Sequence, residues 1–500
     1  MKKIMKTIKI PGKFSVISLL LIIKGATACA QTTDYERIKA QADASSLPLV
    51  NICVEIDKVC KPTYTSATIE IHDPQKRTDT ENATTDFNCE VKYRGNTSLA
   101  YDKKSFNVKL LNESGKSLDA NILGIRSDDA WILDAMTADR MRMRNRLLFD
   151  IWNDFSGTPY PTDYENRNGT RGYFVEVFIN GGYQGLYCMS DKINRKLLGI
   201  KKAKTNDEGK LGKLNGVIYK CNQWGDAAKF SGYEEQDMNG EEWNSWELVY
   251  PDDFPCEETY TPLKEFIDYC AVSSNEDFEK GLDKHLWLDN FTDYQLFAAT
   301  FGLYDNTMKN THLSTVNINE GRRMMITPWD LDRSLGGIKN DHINEVSIKS
   351  IEDMHLYVKP YMRLWTDNID NYRNAVACRW KQLYAKGILT SESFNRRVDA
   401  YVEQFVNSGA WQRERNKWNG NIVELTESPE EEAQYLKQWY KMNVEHLRDN
   451  IFKDLGPNGI SSCKAEKTTA VQTKKNLLGQ NVADSYKGII IFNGKKVMQE

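Results

Sequence analysis

Three stretches of this chain carry residue types at spacings that suit chemistry. Tyr304-Asp305-Asn306-Thr307-Met308-Lys309-Asn310 sets a carboxylate five positions before an amide. One short segment therefore offers a proton acceptor and a hard oxygen ligand. Met325-Ile326-Thr327-Pro328-Trp329-Asp330-Leu331-Asp332 runs an apolar strand into two acids at alternate positions, ahead of Arg333-Ser334-Leu335-Gly336. Alternate positions share a face, so both acids point one way, and Asp330 with Asn310 could hold Mg²⁺. Tyr93-Arg94-Gly95-Asn96-Thr97-Ser98 leads through a turn to Lys103-Lys104-Ser105-Phe106. Backbone N–H groups in such a turn, with Arg and Lys beside them, can hold phosphate oxygens. Each stretch also has a plainer reading: a solvated hairpin, a turn using Asp and Asn, and an Asp pair capping a loop.

The elements that must position these groups follow from periodicity. Strands dominate from Leu47 to Leu111, with alternation in Leu49–Ile56, Ala67–Ile71, Cys89–Tyr93 and Ser105–Leu110. A helix begins near Ala138 and stops at Gly157 and Pro159. Phe174–Ile179 and Gly185–Met189 flank Asn180-Gly181, a strong hairpin turn. Residues 202–260 read as an insertion, and helices fill about 261–456. The order predicts an α+β chain with a β-rich lobe over about 48–200 and a helix-rich lobe after it, the site lying between them. A polar linker at 457–480 and a short hairpin at 481–500 follow.

The chain has 500 residues, 40% hydrophobic and 27% charged, which suits a folded protein of more than one unit. A mean hydropathy of −0.60 excludes a polytopic membrane protein. Residues 1–30 carry six lysines and no acid, so the rest has 60 basic against 70 acidic residues, a net charge of −10. That argues against a nucleic-acid partner. Lys2 to Lys13, the apolar run Phe14–Ile23 and small residues ending at Ala30 form a signal peptide. Ala28-Cys29-Ala30 suits ordinary cleavage, whereas Ala26-Thr27-Ala28-Cys29 resembles a lipobox. Export is expected either way, to the cell envelope or beyond, with a lipid on Cys29 as the one membrane attachment. Residues 31–47 read as a tether. Cys53 and Cys60 flank a hairpin and could bridge in an oxidising compartment. No G-x-S-x-G, H-E-x-x-H or Walker loop occurs.

Taken in order, the blocks resemble the spore-coat-protein-H (CotH) kinase family over most of residues 48–455. They are Arg94-Gly95-Asn96-Thr97-Ser98 with Lys103-Lys104-Ser105-Phe106; Trp131-Ile132-Leu133 with Asp139 and Arg144-Asn145; Asn180-Gly181-Gly182-Tyr183-Gln184-Gly185-Leu186-Tyr187; Asp305 with Asn310; and Pro328-Trp329-Asp330-Leu331-Asp332. The resemblance implies a bilobal, atypical protein-kinase-like fold using ATP and Mg²⁺ or Mn²⁺ to phosphorylate a protein acceptor. It makes Asp305 the catalytic base and Asn310, Asp330 and Asp332 the metal ligands. It places Lys104 at the nucleotide phosphates with Arg94 nearby, Lys103 being the other choice. Where the family has Glu-Lys after the hairpin, this chain has Ser190-Asp191-Lys192, which puts Asp191 in the acid's place at the nucleotide. The end of the chain resembles the last part of a type IX secretion sorting segment. Two other readings stay open: an envelope scaffold on a kinase-like frame without catalysis, and a glycosidase working through an acid pair.

Overall fold

The computed structural model describes residues 32–79, 81–307, 309–338 and 357–455, with short strands at 341–342, 475–476, 488–492 and 495–499. The expected signal peptide and its Cys29 lie outside the described residues, as does most of the 457–480 linker. No described helix is long and apolar enough to cross a membrane.

Two sheets carry the molecule. The first is a closed barrel of β1 (Leu49–Val54), β2 (Thr65–His72), β3 (Thr84–Arg94), β4 (Ser105–Leu111), β5 (Ala130–Asp134), β6 (Gly172–Ile179) and β7 (Gly182–Asp191). Its order is β1–β2–β3–β4–β5–β7–β6, closed by a parallel pairing of β1 with β6, Leu49 opposite Glu176. Closure leaves no open edge. Alternate residues such as Val50, Ile52, Val91, Val108 and Val175 fill the interior. Between β6 and β7 the turn is Asn180-Gly181, both with positive φ (50° and 79°), as a two-residue hairpin of matching twist requires.

The helix α1 (Asp34–Lys39) overturns the tether expected at 31–47. Thr33 caps it, Tyr35 is buried against Phe178, and Lys39 pairs with Glu70 at 2.5 Å. The pair Cys53 and Cys60 is not bridged; both are free thiols.

The second sheet comprises β8 (Val217–Cys221), β9 (Glu242–Trp243), β10 (Trp246–Tyr250), β11 (Thr311–Thr315) and β12 (Met325–Pro328), in the order β9–β10–β8–β11–β12. Residues 202–260 therefore supply three of its strands, including the central one, rather than an appended insertion. Hydrophobic alternation was weak there because Lys220 and Glu247 interrupt short strands.

One early helix, α2 (Arg144–Phe155), starts where Asp139 accepts from the backbone N–H groups of Met143 and Arg144. Its Trp152 packs on Phe297, ring centroids 5.0 Å apart. The later helices are α3 (Glu257–Val272), α4 (Asn275–His285), α5 (Leu288–Phe301), α6 (Lys359–Thr366), α7 (Tyr372–Ala385), α8 (Ser391–Asn407), α9 (Ala410–Trp418) and α10 (Pro429–His446). They share one apolar core with α2 and the second sheet. Phe174 of β6 enters that core against Phe405 of α8. At the end of the chain, Gly488–Phe492 and Lys495–Gln499 pair as an antiparallel hairpin.

Candidate active site

The two acidic stretches meet because the chain runs out along β11 and back along β12. Thr311 pairs with Pro328, so Asn310 and Trp329, the next residues outward, stand opposite; Trp329 N–H donates to Asn310 O at 3.0 Å. Buried Asn306 ties the same ends together, its Nδ2 donating to the carbonyls of Asn310 and Trp329. Gly302, at φ 60°, ends α5 and turns the chain into the short helix Tyr304–Asn306 that carries Asp305. Asn310 Nδ2 then donates to Asp305 Oδ2 at 2.9 Å, and Lys309 Nζ lies 3.1 Å from the same oxygen.

Asp330 is exposed by area, yet protein surrounds it: its carboxyl is held above the usual range first by burial, then by Asp134 and Asp305, while Arg94 and Lys220 oppose the rise. Asp330 thus meets solvent while acids and cations from other elements act on its carboxyl. Asp332 is raised well above the usual range by burial and by Asp330, with Asp134 adding to the rise. Four carboxylates from three elements therefore lie near enough for their charges to act on one another. Asp134 ends β5 and is held by Asn145 Nδ2 at 2.9 Å, while Asn145 Oδ1 accepts from Leu331 N–H at 3.0 Å.

Cations line the other wall. Arg94, at the end of β3, lies over the Trp329 ring at 5.4 Å, and Lys220 of β8 approaches the same ring at 6.0 Å. Burial lowers both Lys192 and Lys220, and Arg94 lowers them further. Beneath them His312 is buried and held well below its usual pKa by burial and by both lysines, so it is neutral.

Other expected residues sit elsewhere. Asp191 is fully buried, accepting from Arg126 Nε at 2.8 Å and Arg167 Nη2 at 3.1 Å. Its carboxylate is committed to this packing, and its neighbour Lys192 is the one that reaches the cleft. Lys103 is enclosed, its Nζ 2.7 Å from both Glu414 Oε1 and Leu186 O. Lys104 Nζ donates to Leu99 O at 2.7 Å and closes the turn after Arg94.

The sequence pattern of CotH kinase proteins matches residues 91–447. The chain belongs to the CotH kinase family. No curated protein matches it.

Within this CotH-family chain, the donor set fits a hard divalent cation. Asn310, Asp330 and Asp332 carry oxygens of the kind such a cation takes, and the neighbouring acids leave negative charge that a cation would offset. A second acidic group, Asp119, Asp128 and Asp129, is partly offset by Lys196, 2.5 Å, 3.4 Å and 3.6 Å away, with Arg126 on Asp128. Sequence reasoning missed Asp134 and Lys220. Asp134 follows Trp131-Ile132-Leu133 directly and was legible as the acid at a strand end; Lys220 has no motif around it.

Proposed function

We propose that this protein is an exported atypical protein kinase that moves the ATP γ-phosphate to a Ser or Thr hydroxyl of a protein acceptor. The observation that carries the reading is the β11–β12 register, which sets Asp305 and Asn310 beside Trp329 and Asp330, facing Arg94 from the barrel. A barrel on one side and a helix-rich body on the other support a bilobal, kinase-like cleft. Residues 1–30 support export to the cell envelope, by a free or a lipidated route.

Asp305 Oδ2 is taken up by Asn310 and Lys309, and Oδ1 accepts no hydrogen bond among the described residues. Oδ1 therefore takes the proton as the acceptor oxygen bonds to the γ-phosphorus. The bond from that phosphorus to its bridging oxygen breaks, and ADP leaves. Arg94, Lys192 and Lys220 hold the phosphate oxygens, with Lys104 closing the turn beside them. Asn310, Asp330 and Asp332 would hold Mg²⁺ or Mn²⁺, which neutralises charge on the phosphates when bound. Asp134 and Asn145 orient the loop that carries Asp330.

Calorimetric titration of the protein with ATP and Mn²⁺ tests the reading. Binding is expected in the wild type and lost in Asp330→Ala. No heat from the wild type would instead favour a scaffold without catalysis.

A further inference from the structure

Trp224 is 48% exposed, and it is the one tryptophan among the described residues to stand so far out of the surface. Exposing an indole forgoes the stabilisation that burying it would give. The loop that holds it there is well built. Asn222 N–H donates to Ser245 O at 2.9 Å, Asn222 Nδ2 to Glu247 Oε2 at 2.9 Å, and Lys229 N–H to Gly225 O at 3.1 Å. The loop leaves β8 at Cys221, whose carbonyl accepts from Asn310 N–H at 3.0 Å. Trp224 thus starts three residues from a backbone contact with the site. Its ring lies 5.9 Å from Lys309 Nζ, and that ammonium lies 3.1 Å from Asp305 Oδ2. One lysine therefore touches both the exposed indole and the candidate base.

We propose that Trp224 is the acceptor-binding platform of this site, taking an aromatic or branched aliphatic side chain beside the Ser or Thr that receives the phosphate. The inference rests on the kinase reading and names the side of the cleft that reading leaves open. Lys309 bridges the platform and Asp305, so a side chain packed on the indole brings its neighbouring hydroxyl to the side of the site that holds the Asp305 carboxylate. The exposed carboxylate of Glu242 stands near the loop and disfavours an acidic neighbour, while Asp226 is paired with Lys229 at 3.2 Å. The indole offers flat apolar area at low conformational-entropy cost, which is why Trp anchors recognition surfaces.

The test uses the full-length protein and an immobilised library of heptapeptides with a fixed central Ser and random flanks. The wild type is expected to enrich peptides with an aromatic or branched aliphatic residue next to the Ser. Trp224→Ala should lose that enrichment, and Trp224→Phe should keep most of it. Calorimetric titration with ATP and Mn²⁺ should match the wild type in both variants, since Arg94 and Lys220 lie against Trp329, a different ring. No enrichment by the wild type, or equal enrichment by Trp224→Ala, would overturn the platform. Failure of the kinase reading is separate: it would be seen as wild-type protein that binds no ATP, whatever the peptides do.

Discussion

Lys103 Nζ and Glu414 Oε1 lie 2.7 Å apart with both side chains wholly enclosed, joining the start of β4 to α9 across 311 positions of sequence. Arg142 Nε reaches the same oxygen at 2.8 Å, and Leu186 N–H donates to Oε2 at 2.8 Å. One carboxylate thus fastens the barrel to the helices. Glu414→Ala leaves two buried cations without their anion and should cost about 3–5 kcal/mol in denaturant unfolding. A loss near zero would mean that the junction relaxes.

The same group gives a pH signature. Burial pulls Lys103 down to about 7, Glu414 opposing and Arg142 adding to the fall. Burial pushes Glu414 up, but Lys103 and Arg142 more than reverse it and leave it below the usual range. Between about 7 and the ordinary lysine range the unfolded chain binds the proton and the folded one does not, so this group makes stability rise with pH. The melting temperature of the wild type, relative to Lys103→Met, should climb from pH 6.5 to 9. Parallel curves would contradict it.

Asp191 is a structural group by its contacts with Arg126 and Arg167. Asp191→Ala should cost about 3–5 kcal/mol, while the ATP affinity of the folded fraction changes by no more than about twofold. A larger change in affinity at unchanged stability would return Asp191 to the nucleotide.

Asp330 and Asp332 are raised above their usual range. A carboxyl with a raised folded pKa stabilises fully only below its unfolded value, and that contribution is lost as pH rises through the folded pKa. Relative to Asp330→Ala, metal-free wild type should therefore lose stability above about pH 4, and the Mn²⁺-induced rise in melting temperature should grow from pH 5 to 7. Asp330→Ala should melt no lower than wild type without metal and show little Mn²⁺ shift. A Mn²⁺ shift as large as that of wild type would place the cation elsewhere.

Lys220→Met and Lys192→Met should each weaken ATP binding by about tenfold, or ~1.4 kcal/mol. Lys104→Met should weaken it less, since its ammonium is held by Leu99 O. A larger loss from Lys104→Met would reverse that order.

Much of the site was legible in the sequence because its polar groups sit at short fixed spacings beside recognisable strands: Asn310 directly precedes β11, Asp330 follows β12 by two residues, and Asp305 lies five residues before Asn310 in a short helix. The Asn180-Gly181 turn was legible because few residue pairs accept positive φ twice. Lys192, just past the end of β7, and Lys220, on the short β8, were not, because a lysine in either place looks the same whether it faces solvent or a site. Nor was Glu414: its partners Lys103 and Arg142 lie more than 270 positions away, and nothing local marks a buried glutamate in an amphipathic helix. The same limit put Lys103 and Asp191 at the nucleotide.

The most direct test of the central claim is transfer from γ-labelled ATP with Mg²⁺ or Mn²⁺, to the protein itself or to a generic protein acceptor, in wild type, Asp305→Ala and Asp330→Ala. The account predicts label in the wild type and almost none in either variant, all three melting as folded proteins. Label retained in Asp330→Ala, or absent from wild-type protein that also fails to bind ATP, would contradict it.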